Sequence, residues 1–267
     1  MRGASRTDRG FTILELMVAM AIFLVICAAM FGLLQLSQQK YSSETQMSGS
    51  FQEARLGIDQ IVRDINISGY PSFSLFSNPA STASYAVSPF AWDPGYLNTP
   101  FPAPCHFGIN NCNPTPSDFD LIVETDFGNG TGVNWIRYQL IGSILYRGVV
   151  QKTPGTDPVA ATSVSGVMTP FVENVMNTAS GALLAQITAQ YPKMFPNGPV
   201  PLFQYTCSTP TGPQLCSSGA AAGYDAPKNI SDIDVTLIVK TPQVDMQTNS
   251  LKLMELTGRG HRSNPAN

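Results

Sequence analysis

The sequence predicts an α+β fold in which one long N-terminal spine helix, a membrane half followed by an amphipathic half, packs on an antiparallel, sheet-rich globular head. Three observations carry this expectation. An apolar run reaches from Phe11 to about Leu36. A proline-free stretch beyond it repeats apolar residues at helical spacing as far as Ile65. The remainder alternates turn-rich segments with short stretches of period two, the mark of half-buried strands.

The helix comes first. Met1 to Gly10 carries Arg2, Arg6 and Arg9 against a single Asp8, which predicts a leader held on the cytoplasmic side. The apolar run that follows has roughly 24 to 26 residues, enough to cross a bilayer with some tilt. A secretory signal would close with small residues at a cleavage site. Here Gln35, Ser37, Gln38, Gln39 and Lys40 take over instead, so the run is read as a single-span anchor. One carboxylate, Glu15, interrupts it near the start. An unpaired carboxylate in hydrocarbon costs about 2.5 kcal/mol or more, so its placement is read as functional. The bland alternative is a plain signal anchor whose stray Glu15 sits at the interface near the helix N-terminus.

Beyond the run, Phe51, Ala54, Ile58, Ile61 and Ile65 follow the 3-4 spacing of one helical face, and Val62 widens it. Gly69-Tyr70-Pro71 supplies a stop. A helix continuous from Phe11 would have nearly 60 residues and span roughly 85 to 90 Å. Gly32, Gly49 and Gly57 lower its propensity without ending it.

Pro71 to Ser117 is rich in Pro, Ser, Asn and aromatics and reads as long loops. Its aromatic residues either pin the loops to the core or recognise something. Asp120 to Thr125 is a strand candidate. Ile136, Tyr138 and Leu140 alternate with Arg137 and Gln139, and a Gly142-Ser143 turn leads into Ile144 to Val150 as a hairpin. Phe171 to Val175 and Leu202 to Thr206 are shorter strand candidates, and Ala182 to Gln190 a short helix. Ile233, Val235, Leu237 and Val239 mark a strand with which Leu251 to Leu256 could pair antiparallel. Gly258 to Asn267 reads as a frayed tail. The division expected is therefore a leader over 1–10, a membrane or core helix over 11–36, an amphipathic extension over 37–70, a β-rich head over 71–257 and a flexible tail over 258–267.

Charged residues make up only 12% of the chain, with 21 Pro and 22 Gly, as in an exposed, loop-rich β domain. Removing a leader of three arginines and one aspartate from 15 basic and 18 acidic residues leaves a net charge of −5. No basic patch is evident, so nucleic acid has little electrostatic attraction to this chain. Cys27 lies within the apolar run, while Cys105 with Cys112 and Cys207 with Cys216 form two local pairs. Outside the cytoplasm, disulfides are the favoured reading of those pairs. Zinc is the alternative, since His106 follows Cys105, yet the spacing matches no common zinc pattern.

No nucleophile, base or phosphate-binding glycine loop stands out, which points away from an enzyme. Asp118, Asp120, Glu124, Asp126 and Asn129 form an oxygen-rich stretch, and Asp118, Asp120 and Asp126 are weak calcium candidates. The EF-hand register is absent, and Asp/Asn/Gly clusters are ordinary turn formers. No other cofactor is expected.

Gly10-Phe11-Thr12-Ile13-Leu14-Glu15-Leu16 resembles the class III signal of type IV pilins and pseudopilins. The resemblance implies that a prepilin peptidase cuts between Gly10 and Phe11 and N-methylates Phe11. It implies that Glu15 pairs with the N-terminal amine of a neighbouring subunit. Physics agrees, because an ammonium and a carboxylate that are each costly in hydrocarbon recover part of that cost as a close pair. Looser patches, Gln52-Glu53-Ala54-Arg55 to Tyr70 and the Tyr138 to Arg147 hairpin, resemble minor pilins of the PilW type and J-type pseudopilins. The partners implied are the peptidase, other minor and major pilins and an inner-membrane assembly platform. The location implied is the inner membrane with a periplasmic head, then an extracellular filament. A minor pilin that initiates or caps the filament is the function expected; a type II secretion pseudopilin and a pilus-borne adhesin are the alternatives.

Overall fold

The computed structural model describes residues 12–78, 81–91, 107, 115–128, 132–154, 160–245 and 250–264. Helix α1 is a single unbroken element, Ile13–Asn66, of 54 residues. At 1.5 Å per residue it is about 80 Å long. It ends where Ile67 donates back to the Arg63 carbonyl and Gly69 turns the chain at φ +78°, a conformation open to glycine because it has no Cβ. Only the last turns are buried, on the face of Ala54, Ile58, Ile61 and Ile65. Burying an isoleucine side chain stabilises by about 1.5 to 3 kcal/mol.

Two antiparallel sheets flank that face. The first orders β1 (Phe90–Ala91), β2 (Asp120–Asp126), β3 (Val133–Ile141), β4 (Ile144–Gln151) and β5 (Thr169–Val172) in sequence. Ile141 pairs with Ile144 across the Gly142-Ser143 turn, and Gly142 takes φ +62°, as a first-position glycine in a two-residue hairpin does. The second sheet contains β6 (Phe203–Thr209), β7 (Gly212–Leu215), β8 (Ile230–Lys240) and β9 (Leu253–His261) in the order β7-β6-β8-β9. Two short helices, α2 (Ala160–Ser165) and α3 (Gly181–Gln190), lie on the outer side of the sheets. The main core joins the Ile face of α1 to Leu121, Val123, Ile136 and Tyr138 of the first sheet and Phe203, Ile233, Val235 and Leu237 of the second.

The sheets are also tied to each other by hydrogen bonds. The Asp118 carbonyl accepts from the Leu202 and Phe203 amides at 2.9 and 3.0 Å. Tyr205 donates its hydroxyl to the Ser117 carbonyl at 2.6 Å. Burial and then the nearby Asp120 and Asp118 charges push the Tyr205 pKa well up, so it remains a donor.

Four sequence expectations are corrected or extended. Gly258 to His261, expected to fray, form the end of β9 and pair with Asp232 to Val235. Leu256, Gly258 and Gly260 are the inward-facing set of a period-two strand, and glycine is required there because the helix is so close. A Cβ at Gly260 would stand 2.5 Å from Ile65 Cγ2, and one at Gly258 2.5 Å from Ile58 Cγ2. The strand predicted at Phe171 to Val175 lies earlier, at Thr169–Val172, because Val175 has left it to bridge Val239. β7 was not foreseen, since Gly-Pro-Gln-Leu has the composition of a turn. Gly57 is a contact point as well as an interruption, as its missing Cβ leaves room for Val172 at what would be 2.5 Å.

Replacing Gly260 with Ala forces Ile65 or β9 to move and should lower stability by about 1 to 3 kcal/mol. Arg259→Ala, on the exposed side of the same strand, gives up only an exposed ion pair with Asp232 and should cost less than about 1 kcal/mol. Urea unfolding of the detergent-solubilised chain checks both; equal effects would contradict the close-approach account.

Candidate functional site

The exposed end of α1 begins at Thr12, whose extended backbone makes it the N-cap. Its Oγ1 accepts from the Glu15 amide at 3.3 Å. In return Glu15 Oε2 accepts from the Thr12 amide at 2.9 Å and from the Thr12 hydroxyl at 3.0 Å. This reciprocal capping box satisfies two amides that the first helical turn would leave without partners. It also sets the carboxylate against the positive end of the helix dipole. A carboxylate offers about four acceptor positions, so Glu15 can take a further cation without losing its grip on Thr12. Gly10 and Phe11, the other two residues of the predicted junction, lie outside the described residues.

From Ile13 onward the helix presents apolar side chains all round, including Ile13 at 81% exposure and Val25 at 69%. An 18-residue window within it has a mean hydropathy of 2.7, with none of the window buried. Such a surface is stable only in lipid or against other apolar helices. The helix is therefore long and apolar enough to cross a membrane, and its far half is clamped into a head.

The clamp rests on charged residues that sequence reasoning missed. Asp64, on the helix, is 1% exposed. Its Oδ2 accepts from the Tyr138 hydroxyl at 2.6 Å and from Arg147 Nη2 at 2.9 Å, and its Oδ1 accepts from Gln60 Nε2 at 2.8 Å. Arg147 Nε also donates to the Tyr138 oxygen at 2.9 Å. Burial, and then the Asp64 charge, push the Tyr138 pKa well above its ordinary value, which keeps the phenol protonated as a donor. At the sheet edge, the Glu173 amide donates to Glu53 Oε1 at 2.9 Å.

Two more buried pairs brace the first sheet. Arg137 meets Asp120 with Nε to Oδ1 at 3.0 Å and Nη2 to Oδ2 at 2.5 Å. Lys152 meets Glu124, and both side chains are fully buried. The Val87 amide also donates to Glu124 Oε1 at 3.0 Å, drawing the segment before β1 onto β2. The helix-spaced Asp64 and the alternating Arg137 look like solvent-facing positions in sequence. The signal that could have found them is the scarcity of charge, together with a tyrosine and an arginine facing each other across a hairpin.

The remaining candidates are placed as follows. Cys207 and Cys216 form a disulfide that closes the β6–β7 hairpin. Cys105, Cys112 and His106 lie outside the described residues. Asp120 is engaged by Arg137 and by Gln139 Nε2 at 3.0 Å. Asp126 Oδ1 accepts the Gly128 amide at 2.8 Å in a local turn. Asp118 is exposed, and partial desolvation by its neighbours raises its pKa. The three carboxylates thus do not converge, and among the described residues no group of three His, Cys, Asp or Glu side chains could hold a metal.

The family model for the prokaryotic N-terminal methylation motif matches residues 5–31. The chain therefore carries the prepilin signal of the type IV pilin and pseudopilin superfamily, on a helix that fits a single-pass membrane anchor. That signal implies processing by a prepilin peptidase and assembly with other pilins. No curated protein and no solved structure matches the chain.

Tyr138→Phe should lower head stability by about 1 to 3 kcal/mol, because Asp64 loses a buried partner. Asp64→Ala, which strands Arg147 in a partly buried site, should cost about 3 to 5 kcal/mol. Denaturant midpoints of the two variants and the parent test the order; an equal or reversed order would contradict the clamp.

Proposed function

We propose that this chain is a minor pilin, built into a type IV pilus after removal of residues 1–10, with Phe11 as its N-methylated first residue. The carrying observation is the methylation motif lying on an exposed apolar helix that runs without a break into a clamped, sheet-rich head. The span from Phe11 to about Gln35 holds the subunit in the inner membrane, with the head on the periplasmic side, and later in the filament core. Glu15 sets register by receiving the N-terminal amine of a neighbour on its carboxylate, while Thr12 keeps the helix end capped.

A head this bulky fits poorly into a close-packed shaft, which favours a place at the tip, where the subunit initiates or caps the filament. The working interactions are with the peptidase, the assembly platform and other pilins, and the role requires no metal, cofactor or catalysis. A pseudopilin of a type II secretion machine shares the N-terminal features. Deletion separates the two, since loss of pili supports the pilin role and loss of secreted proteins with intact pili supports the pseudopilin.

Glu15→Ala should leave the chain in the membrane fraction and reduce its recovery in sheared filaments by about tenfold or more, the equivalent of one lost ion pair of about 1.4 kcal/mol. Immunoblots of the membrane and filament fractions provide the check. Unchanged recovery in filaments would remove Glu15 from assembly.

A further inference from the structure

Where the helix leaves its apolar run, it forms a groove with the head that the assembly role does not use. The groove is half open, with a volume of about 460 Å³, and is lined by Gln35, Gln38, Gln39, Ser42, Ser43 and Gln46 on α1, facing Gln243 and Val244 on the β8–β9 connection. This is within the usual 300 to 1,000 Å³ of ligand sites. The helical residues recur at i, i+3, i+4, i+7, i+8 and i+11, so they form one face. That face consists only of amides and hydroxyls, while Lys40, Tyr41 and Glu44 fall on the opposite side by the same spacing.

The opposing wall is built rather than incidental. Thr241 Oγ1 donates to the Gln243 carbonyl at 2.8 Å, and Lys252 bridges Asp245 at 2.9 Å, fixing the connection on both sides of Val244. Within the groove Gln46 Nε2 donates to Ser42 Oγ at 3.3 Å. Gln35, Gln38 and Gln39 make no side-chain hydrogen bond among the described residues.

With the apolar run taken as the membrane anchor, the height of the groove points to its occupant. Gln38 to Ser43 lie about 3 to 10 Å beyond Leu36 along the helix axis. The headgroup layer of a bilayer is about 5 to 8 Å thick on each side of the hydrocarbon. Primary amides donate and accept, hydroxyls likewise, and no charge lines the site. Such a lining suits a zwitterionic group that presents phosphate oxygens and an ammonium together, rather than a bare anion, which arginine would clamp.

We propose that this groove seats the headgroup of a phosphatidylethanolamine-type phospholipid, so that the waiting subunit is held against the membrane surface by its head as well as by its span. The proposal rests on the reading of the apolar run as a membrane anchor. It gives the head a fixed height and orientation over the bilayer before assembly.

The test uses the full chain in nanodiscs of phosphatidylethanolamine and phosphatidylglycerol, with a small fraction of phosphatidylethanolamine bearing a photoactivatable group on its headgroup. Adducts located by mass spectrometry should concentrate on Gln38 to Gln46 and on Gln243 and Val244. Ser42→Trp, which fills the groove, should reduce them about tenfold, as a loss of about 1.4 kcal/mol would. A double Gln38→Ala and Gln39→Ala variant, which removes the amides without adding bulk, should reduce them as well. Adducts spread equally over Tyr41 and Glu44, or unaffected by the variants, would overturn the proposal as ordinary surrounding lipid. Crosslinks between two chains in place of lipid adducts would overturn it in favour of a neighbouring helix. Extraction of the chain by alkaline carbonate would remove the anchor reading and this proposal together, whereas a retained chain with no groove adducts removes this proposal alone.

Discussion

A helix of this length cannot be stable on propensity alone, and this one must satisfy two different surroundings along one axis. The run at its start is apolar on every side, and among the described residues none of its most apolar 18-residue window is buried. Its last turns depend on an Ile face that the two sheets share. The contact between that face and β9 is the constraint on which the rest depends. It is close enough to require glycine at 258 and 260, and it brings the C-terminal strand beside the helix end. The Asn66 side chain then accepts from the His261 amide at 2.9 Å, and Asn264 Nδ2 donates to the Ser68 carbonyl at 3.0 Å. The chain thereby closes on itself, so the direction of the spine is fixed relative to both sheets.

The buried charges make the same contact specific. An apolar helix face and two apolar sheets could slide past one another at little cost, because such packing has no direction. Asp64 has one place where it meets both Tyr138 and Arg147, and a slip of one turn would leave a buried carboxylate without partners. Buried ion pairs add little net stability, so registry is their better explanation. In a subunit whose exposed end must meet a neighbour, a head that slid along its spine would leave assembly contacts undefined.

Much of this was legible in the sequence because it rests on periodicity. The Ile face of α1, the β3–β4 hairpin with its Gly142-Ser143 turn and the β8–β9 pair all follow from spacing. What periodicity could not show was which second face would be covered. Arg137 alternates with apolar residues and so reads as solvent-facing, yet Trp135, Ile122 and Val164 form a second core on that side of the sheet. Gly258 and Gly260 read as disorder because a missing side chain has no hydropathy, although the absence is what the packing needs. At the other end, Glu15 reads as an assembly contact within a signal that includes Thr12, and the capping box adds a local structural reason for both residues.

The central claim is that the head is carried on a helix that is processed at its start and then enters a filament. Intact-mass and N-terminal peptide analysis of the protein recovered from sheared filaments tests it most directly. The account predicts a chain that begins at Phe11, carries one methyl group on its amine and still contains the head as far as β9. A chain in the filament fraction that still begins at Met1, or that is cut after the apolar run and freed of its spine, would contradict it.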